Sequence, residues 1–329
     1  MEKPLTVLFN TYTVAFDCPG GGEVQLVKYE EQLKLAGVRV LRYDPWNPRP
    51  QFEAADLVHY FSVQWGSIQF CHYVAHRRKL PLVISTIAWM EPHKRTPPPE
   101  VGELLKLSSR NLPNSQAECD QLSGSYGIAP EKFTPIVNGV NEIFFEPAQA
   151  EVFREKFKLH APFVLCMGNI EARKNQLKLI EALTGSGLHL VLAGQEREAE
   201  YAARCRRLAD DTVHFTGALE HGSLLQRSAY AAAEALVLPS SMETPGLAAL
   251  EAAAAGCRLA LTREGCTKEY FGDYAVYLNP DDAASIRQAV EQTLARARRP
   301  ELPEYIRGRY TWKRAAEQLL VAYKEVLRS

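Results

Sequence analysis

Two glutamates in the second half of the chain lie where they could bind a phosphorylated ligand that carries several hydroxyl groups. The apolar run Ala235–Leu238 is followed by a loop that contains Glu243, and then by an alanine-rich stretch that contains Glu251. This order predicts a strand, a loop and a helix. Gly246 permits close backbone approach, and the free N–H groups of a first helical turn bind phosphate. The segment therefore predicts half of a nucleotide-sugar site.

Glu251 is unusual because its predicted helix is apolar on nearly all sides. A buried carboxylate without partners is strongly destabilising, and its side chain leans toward the start of the helix. A ribose diol, with two hydroxyl donors, would be a good partner for Glu251, and Glu243 could accept hydrogen bonds from sugar hydroxyls. The alternative is that Glu251 has charged partners within the protein and Glu243 caps the helix. The spacing of the two glutamates does not by itself choose between these interpretations.

A second strand, loop and helix carry two cations. After the apolar run Phe163–Met167 the chain reads GNIEARK over residues 168–174, which ends with Arg173 and Lys174. Cations near the start of a helix are unfavourable for the helix dipole, so a bound diphosphate would explain them. The alternative is a solvated Arg–Lys pair on a loop.

The segment from Ser240 to Glu251, followed by Gly256 and Cys257, resembles the E-x7-E region of family 4 glycosyltransferases. The resemblance extends over most of the chain. It implies that Glu243 contacts the donor hexose, that Glu251 binds the nucleotide ribose, and that backbone amides between them hold the distal phosphate. Those backbone positions are Thr244, Pro245, Gly246 and Leu247.

The segment that begins at Gly168 is similar to the family's G-R-x-x-x-x-K region, whose arginine and lysine stabilise the leaving diphosphate. Lys174 matches the lysine, but Asn169 stands where the family has arginine. Either Arg173 supplies the second charge or the diphosphate is held more lightly than usual. The residues predicted to act in catalysis are therefore Lys174, Glu243 and Arg173, with Gly168 and Asn169 in the donor site.

Gly21 and Gly22 follow the first predicted strand and open a helix. The pattern is not G-x-G-x-x-G, which disfavours a dehydrogenase. The segment resembles the family's G-G-x-E loop, whose backbone lies close to the donor phosphate or the acceptor, and both glycines are therefore predicted to be donor-binding. The alternative is a flexible tight turn.

A second departure from the family follows the apolar run Leu82–Ser85, where many members carry T-x-H with a histidine that meets the sugar ring. Here Ala88 stands in place of that histidine. Trp89 could stack on a sugar face, or His93 could bend back, but an ordinary core position is the favoured interpretation for the tryptophan.

Short apolar runs alternate with helical patterns along the chain, which is typical of an α/β protein with parallel sheets. The predicted strands lie near residues 5–9, 38–41, 57–61, 82–85, 110–112, 133–137, 163–167, 188–193, 213–216, 235–238, 259–261 and 276–278. The predicted helices lie near residues 22–36, 66–79, 100–107, 115–124, 175–183, 197–209, 221–230, 246–255, 267–271 and 282–297.

The resemblance implies the GT-B fold, in which two Rossmann-like domains face each other across a cleft. We expect an N-terminal acceptor domain over residues 1–145 and a C-terminal donor domain over residues 146–307. A terminal helix, from about residue 308 to residue 329, is expected to cross back to the N-terminal domain. Ligands of such sheets bind at the carboxyl ends of the strands.

Composition excludes several other classes of protein. The net charge is −1 and the basic clusters are short, so a nucleic-acid partner is not expected. Seven scattered cysteines without a C-x-x-C pair, and no apolar run long enough to cross a bilayer, predict a cytoplasmic protein with at most peripheral membrane contact. Asp281 and Asp282 are expected to cap a helix and not to form a metal-binding D-x-D motif.

The activity that these patterns imply is retaining transfer of a hexosyl group from an NDP-sugar to a hydroxyl acceptor, as in polysaccharide biosynthesis. The acceptor is left open among a glycan, a lipid and a small metabolite. We expect neither a metal nor another cofactor. The alternatives are a catalytically degenerate GT-B protein that binds nucleotide sugar or glycan, and an NDP-sugar epimerase or hydrolase.

Overall fold

The computed structural model describes residues 3–17, 19–63, 66–90 and 97–328, and it divides the chain into two units. The first unit comprises Met1–Gly139 together with Trp312–Ser329, and the second comprises Val140–Thr311. Among the described residues, no helix combines the length and the apolar character that a bilayer crossing requires. The six cysteines in this part of the chain are buried, and Cys18 lies outside it.

The first unit is built on a five-stranded sheet in the order β2-β1-β3-β4-β5, with every pair parallel. Its strands are β1 (Thr6–Thr11), β2 (Arg39–Arg42), β3 (Leu57–Phe61), β4 (Leu82–Ser85) and β5 (Arg110–Asn111). Its first helices are α1 (Gly21–Leu35), α2 (Pro48–Ala54), α3 (Ser67–His72), α4 (Pro99–Leu107) and α5 (Gln116–Tyr126), and α3 continues into a π-helical turn over Tyr73–Arg78.

The second unit is built on a six-stranded parallel sheet in the order β11-β10-β9-β6-β7-β8. Its strands are β6 (Phe163–Met167), β7 (His189–Ala193), β8 (Val213–Gly217), β9 (Ala235–Leu238), β10 (Arg258–Thr262) and β11 (Ala275–Leu278). Its helices are α6 (Ala150–Phe157), α7 (Gln176–Leu183), α8 (Ala199–Leu208), α9 (Leu224–Ala232), α10 (Leu247–Ala254), α11 (Thr267–Phe271), α12 (Ala283–Ala295) and α13 (Leu302–Arg307).

The central strands are buried along their whole length. Every residue of β3, β6 and β9 is buried, as expected for parallel strands covered by helices on both faces. In the first unit, for example, Leu8, Val58 and Ile84 belong to one core cluster with Leu104 and Leu122 from the helices. Burial of each such side chain contributes roughly 2 kcal/mol to folding.

The last helix, α14 (Trp312–Arg328), belongs to the first unit. The ring of Trp312 packs edge-on against Tyr29 of α1, with ring centroids 5.8 Å apart. Where the chain leaves the second unit, the backbone N–H of Val140 donates to the carbonyl of Tyr310 at 2.9 Å. The segment that enters the second unit therefore pairs with the segment that leaves it.

The predicted strand near residues 133–137 is wrong. Only a single bridge, from Asn111 to Phe133, occurs there. The physical reason is Pro135, which has no backbone N–H to donate to a sheet ladder. The α2, α6 and α13 helices were not predicted, and the ends of the other predicted elements differ from the observed ones by a few residues.

A buried histidine joins the last helix to the first sheet. His59 of β3 is hydrogen-bonded through Nδ1 to the Tyr323 hydroxyl at 2.6 Å and through Nε2 to Ser85 Oγ at 2.9 Å. Complete burial lowers the pKa of His59 to about 3. The ring is therefore neutral in the folded protein at neutral pH and in mild acid.

This histidine predicts loss of stability in mild acid. The unfolded chain binds a proton at His59 near pH 6.5 whereas the folded chain does not, so this contribution to stability is complete above about pH 6.5 and decreases below it. We expect the free energy of unfolding to fall by roughly 2 kcal/mol through His59 between about pH 7.5 and pH 5. Urea unfolding at the two pH values measures the change.

The matched comparison uses His59→Asn and, at an exposed histidine, His160→Asn. The His59→Asn protein should lose less stability on acidification than the wild type, whatever its stability at neutral pH. The His160→Asn protein should follow the wild type. Equal pH dependence in the wild type and the His59→Asn protein would contradict the prediction.

Candidate functional site

The six-stranded sheet reverses its order between β6 and β9, which are hydrogen-bonded neighbours. From β6 the chain proceeds outward through β7 and β8, and from β9 it proceeds the other way through β10 and β11. The loops that follow β6 and β9 therefore leave the sheet in opposite directions, and ligands of open parallel sheets bind at such a point. These loops carry residues 168–175 and 239–246, in which most of the predicted site residues lie.

The loop after β6 begins with a close backbone approach. Gly168 has φ of +148°, and a Cβ on Gly194, after β7, would lie 1.9 Å from the Gly168 carbonyl oxygen. The side-chain amide of Gln176, the first residue of α7, donates to the backbone carbonyl of Asn169 at 2.8 Å. Asn169 therefore occupies a loop whose backbone is fixed from both sides.

Asn175 links this loop to the two loops beside it. Its backbone is left-handed, with φ of +60°, immediately before α7. Its side-chain amide donates to the carbonyl of Pro239 at 3.1 Å and to that of Pro280 at 2.8 Å. The loops after β6, β9 and β11 are thereby joined at one side chain.

Lys174 and Glu243 form an ion pair across the two loops. Lys174 Nζ lies 2.6 Å from Glu243 Oε1, and Ser240 Oγ donates to the same oxygen at 2.6 Å. The lysine side chain is 16% exposed and the glutamate side chain 6%. Two of the three residues that the sequence predicted to act in catalysis are thus in direct contact.

The pKa of Glu243 reflects burial opposed by positive charge. Burial raises it, but the charges of Lys174 and Arg173, together with hydrogen bonds from Lys174 and Ser240, hold it below its usual value. The carboxylate therefore remains ionised and can accept hydrogen bonds but not donate them.

The backbone around Glu243 is fixed by glycines. The Glu243 carbonyl accepts from the Cys266 N–H at 3.0 Å, and a Cβ on Gly265 would lie 2.0 Å from that carbonyl oxygen. Gly246, with φ of +89°, precedes α10, and a Cβ there would lie 3.2 Å from Glu243 Oε2. The carboxylate thus lies against the start of α10, next to the cis Thr244–Pro245 bond and Leu247.

Arg173 lies beside this pair but has another carboxylate as its partner. Its Nη2 is 3.0 Å from Oε1 of Glu171, a buried residue, and its own carbonyl accepts from the Ser241 N–H at 2.9 Å. Arg173 therefore contacts the loop after β9 through its backbone carbonyl and contacts Glu171, on its own loop, through its side chain.

Glu251, on α10, has three partners within the protein. Its Oε2 accepts from the Tyr230 hydroxyl at 2.6 Å and from the Gln226 amide at 3.1 Å, and its Oε1 is 2.9 Å from His221 Nε2. Burial, reinforced by the charge of Glu251, raises the pKa of Tyr230 well above its usual value, so the hydroxyl stays protonated. Glu251 therefore has partners within the protein, but Tyr230 and Gln226 are neutral donors and not the charged partners that the alternative interpretation expected.

Sequence analysis did not identify those partners. Gln226 and Tyr230 are four residues apart on α9 and so face the same way, while His221 precedes that helix. Their spacing could have indicated a polar stripe, but not that Glu251 lies opposite it.

The first unit holds the remaining predicted residues. Gly21 and Gly22 form the first turn of α1, and the Glu23 carboxylate turns back to accept from the Gly20 N–H at 2.7 Å and the Tyr12 hydroxyl at 2.8 Å. The predicted donor-binding role of the two glycines stays a prediction.

Trp89 is half-buried and is therefore not the fully buried core tryptophan that was favoured. His93 lies outside the described residues.

Within the described part of the chain, no group of three or more histidine, cysteine, aspartate or glutamate side chains is arranged to hold a metal ion. Asp282 caps α12 by accepting from the Ala284 N–H at 2.9 Å. This agrees with the helix-cap interpretation for Asp282.

Comparison with curated proteins gives several relatives. The D-inositol 3-phosphate glycosyltransferase of Actinosynnema mirum is 29% identical over 290 residues, which is 79% of this chain and 67% of that protein. The same enzyme of Segniliparus rotundus is 27% identical over 69% of this chain and 54% of its own length. Glycogen synthase of Mycobacterium tuberculosis strain H37Rv is 30% identical over 58% of this chain and 47% of its own length. The chain thus spans about half to two thirds of these relatives.

Solved structures share the fold at low sequence identity. A glycosyltransferase from Rickettsia africae superimposes with a TM-score of 0.81 at 17% identity over the whole of both chains. The sucrose-phosphate synthase of Thermosynechococcus elongatus gives 0.79 at 18% identity, covering 99% of this chain and 100% of that one. Anabaena HepE in complex with UDP-glucose gives 0.77 at 17% identity, covering 98% and 100%.

The two parallel sheets and these likenesses define the class of protein as GT-B. Residues 147–309, which carry both loops at the switch point, match the family described as glycosyl transferases group 1. Together with the curated relatives, this match confirms the resemblance to family 4, and residues 147–309 are those of a group 1 glycosyl transferase.

The position of Gly265 beside Glu243 predicts that one added methyl group lowers the free energy of unfolding strongly. In Gly265→Ala the new Cβ would meet the Glu243 backbone, with its oxygen at 2.0 Å, so the loop after β9 must shift. We expect a loss of about 3 kcal/mol in the free energy of unfolding, measured with urea.

Gly127→Ala is the matched control, because Gly127 also has a positive φ, in the left-handed helical region, but has nothing within 4 Å of the added Cβ. It should cost only the backbone strain, about 1 kcal/mol. Equal losses of unfolding free energy in the two variants would contradict the prediction, because the close approach of Gly265 to Glu243 would then add no cost to the substitution.

Proposed function

We propose that the protein is a retaining glycosyltransferase that moves a hexosyl group from a nucleoside-diphosphate sugar to a hydroxyl group of an acceptor. The observation that carries the proposal is the ion pair between Lys174 and Glu243. One partner follows β6 and the other follows β9, and their side-chain atoms are 2.6 Å apart at the point where the sheet order reverses.

The donor diphosphate is assigned to the positive side of this pair. Lys174 and Arg173 supply cations, and the first turn of α10, which begins at Leu247, supplies backbone N–H groups without intrahelical acceptors. Departure of the diphosphate builds negative charge on its oxygens, and groups already in place stabilise that charge without reorganising. Such stabilisation is the main catalytic contribution proposed for these residues.

The hexose is assigned to Glu243. Its carboxylate is ionised, as its lowered pKa requires, and only Oε1 is shared by Lys174 and Ser240. The other oxygen can therefore accept from sugar hydroxyls. These contacts would orient the anomeric carbon toward the diphosphate side of the site.

The ribose is assigned to Glu251, and its protein partners leave room for this role. A carboxylate has about four lone-pair positions. Tyr230, Gln226 and His221 occupy three of them, which leaves one acceptor position for a ribose hydroxyl. The protein partners would hold the carboxylate in place while the ligand uses the remaining position.

Retention is proposed to follow from attack on the same face as departure, assisted by the leaving phosphate, with no protein nucleophile. The scheme uses protein cations and amides for charge stabilisation and requires no metal or other cofactor. We place the reaction in the cytoplasm, with peripheral membrane contact at most.

The similar proteins support this donor and suggest the first acceptors to test. Anabaena HepE is solved with UDP and with UDP-glucose, which supports a nucleotide sugar as donor. The names of the curated relatives make D-inositol 3-phosphate and glycogen the first acceptors to test. A lipid-linked acceptor is tested as well, because the acceptor was left open among a glycan, a lipid and a small metabolite.

The experiment begins with a thermal-shift screen of UDP, GDP, ADP and dTDP sugars, since a bound donor raises the melting temperature. The stabilising donor is then incubated with each acceptor, and the products are analysed for a new glycosidic bond and its anomeric configuration. An α-linked product from an α-linked donor is expected. Hydrolysed or epimerised donor without a new glycoside, or an inverted product, would contradict the proposal.

Two variants test the assigned residues. Lys174→Ala and Glu243→Gln should each lower kcat/KM by about 100-fold or more, because each removes a preorganised group at the reacting centre. Lys178→Ala, which removes an exposed lysine from the following helix, should leave kcat/KM unchanged. Donor binding in the wild type without transfer to any acceptor would instead indicate a protein that binds nucleotide sugar without catalysis.

A further inference from the structure

A buried carboxylate at the edge of the site is shared by two arginines. Glu171, whose side chain is 7% exposed, lies 3.0 Å from Arg173 Nη2 and 3.5 Å from Arg197 Nη1. Both arginine side chains are about half-exposed, at 43% and 42%. Each guanidinium therefore has one side on Glu171 and the rest facing solvent.

The backbone fixes Arg197 in this position. The Ile170 N–H donates to the Gln195 carbonyl at 2.8 Å, and the Glu198 N–H donates to the Ile170 carbonyl at 3.3 Å. The loop after β7 is thus joined to the loop after β6 on both sides of Arg197. These contacts hold the Arg197 main chain beside the loop that carries Glu171.

The charges show what the second arginine contributes. Glu171 paired with Arg173 alone would form a neutral pair, and Lys174 is already paired with Glu243. Asn169 is uncharged, so these two loops would then offer no net positive charge. Arg197 makes the Glu171 cluster positive by one unit. The Glu198 carboxylate accepts from the Ala172 N–H at 3.1 Å, and among the described residues it forms no ion pair with either arginine, so it does not occupy their N–H donors.

We propose that Arg197 is a positioning residue for the donor diphosphate. By sharing Glu171, it leaves Arg173 with net positive charge and free N–H donors for the diphosphate, a dianion or trianion. This inference rests on the proposed function, because it takes a nucleoside-diphosphate sugar as the ligand. It assigns a role in ligand binding to the loop after β7, which sequence analysis did not include in the site.

The experiment measures binding of inorganic pyrophosphate, UDP and ADP by calorimetry. Arg197→Gln should weaken binding of the diphosphates by about fivefold, since it removes one charge several ångströms from the ligand. The loss should shrink at high salt, and Arg197→Lys should restore most of the affinity. Binding of uridine or adenosine, which carry no phosphate, should not change.

A double variant separates positioning from direct contact. In Glu171→Gln/Arg197→Gln, neither the acid nor the second arginine is present, so Arg173 keeps its charge and the affinity for diphosphates should return close to that of the wild type. If Arg197 instead binds phosphate itself, the double variant stays as weak as Arg197→Gln, and the proposal is overturned. Should Arg197→Gln fail to fold, Arg197→Lys and the charge-balanced double variant still test it.

Arg287→Gln is the matched control, because Arg287 forms an exposed pair with Glu291 in the same unit but on α12. It should leave diphosphate affinity unchanged. Unchanged affinity in Arg197→Gln, in a wild type that binds diphosphates, would overturn this inference and leave the proposed function intact. A wild type that binds no diphosphate would overturn both.

Discussion

A carboxylate buried at the carboxyl ends of parallel strands must be compensated by positive charge, and the architecture of the second unit follows from how Glu243 meets this requirement. Its cation, Lys174, belongs to a loop about seventy residues earlier in the chain. The two loops can meet only because β6 and β9 are neighbours in the sheet. Asn175 then fixes the loops relative to each other through two carbonyl groups.

Each stabilising interaction at this edge constrains another. Gly265 and Gly246 are required because the Glu243 backbone and carboxylate come too close for a side chain. Glu171 and Glu251 repeat the pattern of a buried acid with several donors. The first unit holds buried acids as well, such as Glu30 with Lys34 and Arg42, beside the neutral contacts of His59 with Tyr323 and Ser85.

Much of this arrangement was predictable from the sequence. Buried parallel strands are short apolar runs, so β3, β4, β6 and β9 could be located to the residue. The loops after β6 and β9 could be predicted as site loops because charged residues and glycines follow those runs directly. The error near residue 135 shows the limit of such patterns, because an apolar run with a proline has strand composition but lacks a donor.

The partners of the buried acids could not be predicted. Tyr230 and Gln226 reach Glu251 from another helix, and Arg197 reaches Glu171 from another loop. Such pairings depend on strand order and on the direction of each loop, which a one-dimensional pattern does not contain. For the same reason, the need for glycine at Gly194 and Gly265 emerges only when two backbone segments are placed side by side.

The position of α14 has a consequence for the order of events on the ribosome. The helix completes the first unit through Trp312 and Tyr323, yet the entire second unit, Val140–Thr311, is translated before it. Until α14 has been synthesised, Tyr29 and His59 of the first unit lack their contacts with Trp312 and Tyr323, although all the strands of the second unit have been synthesised by then. The N-terminal half of the chain is thus the last to be completed during synthesis.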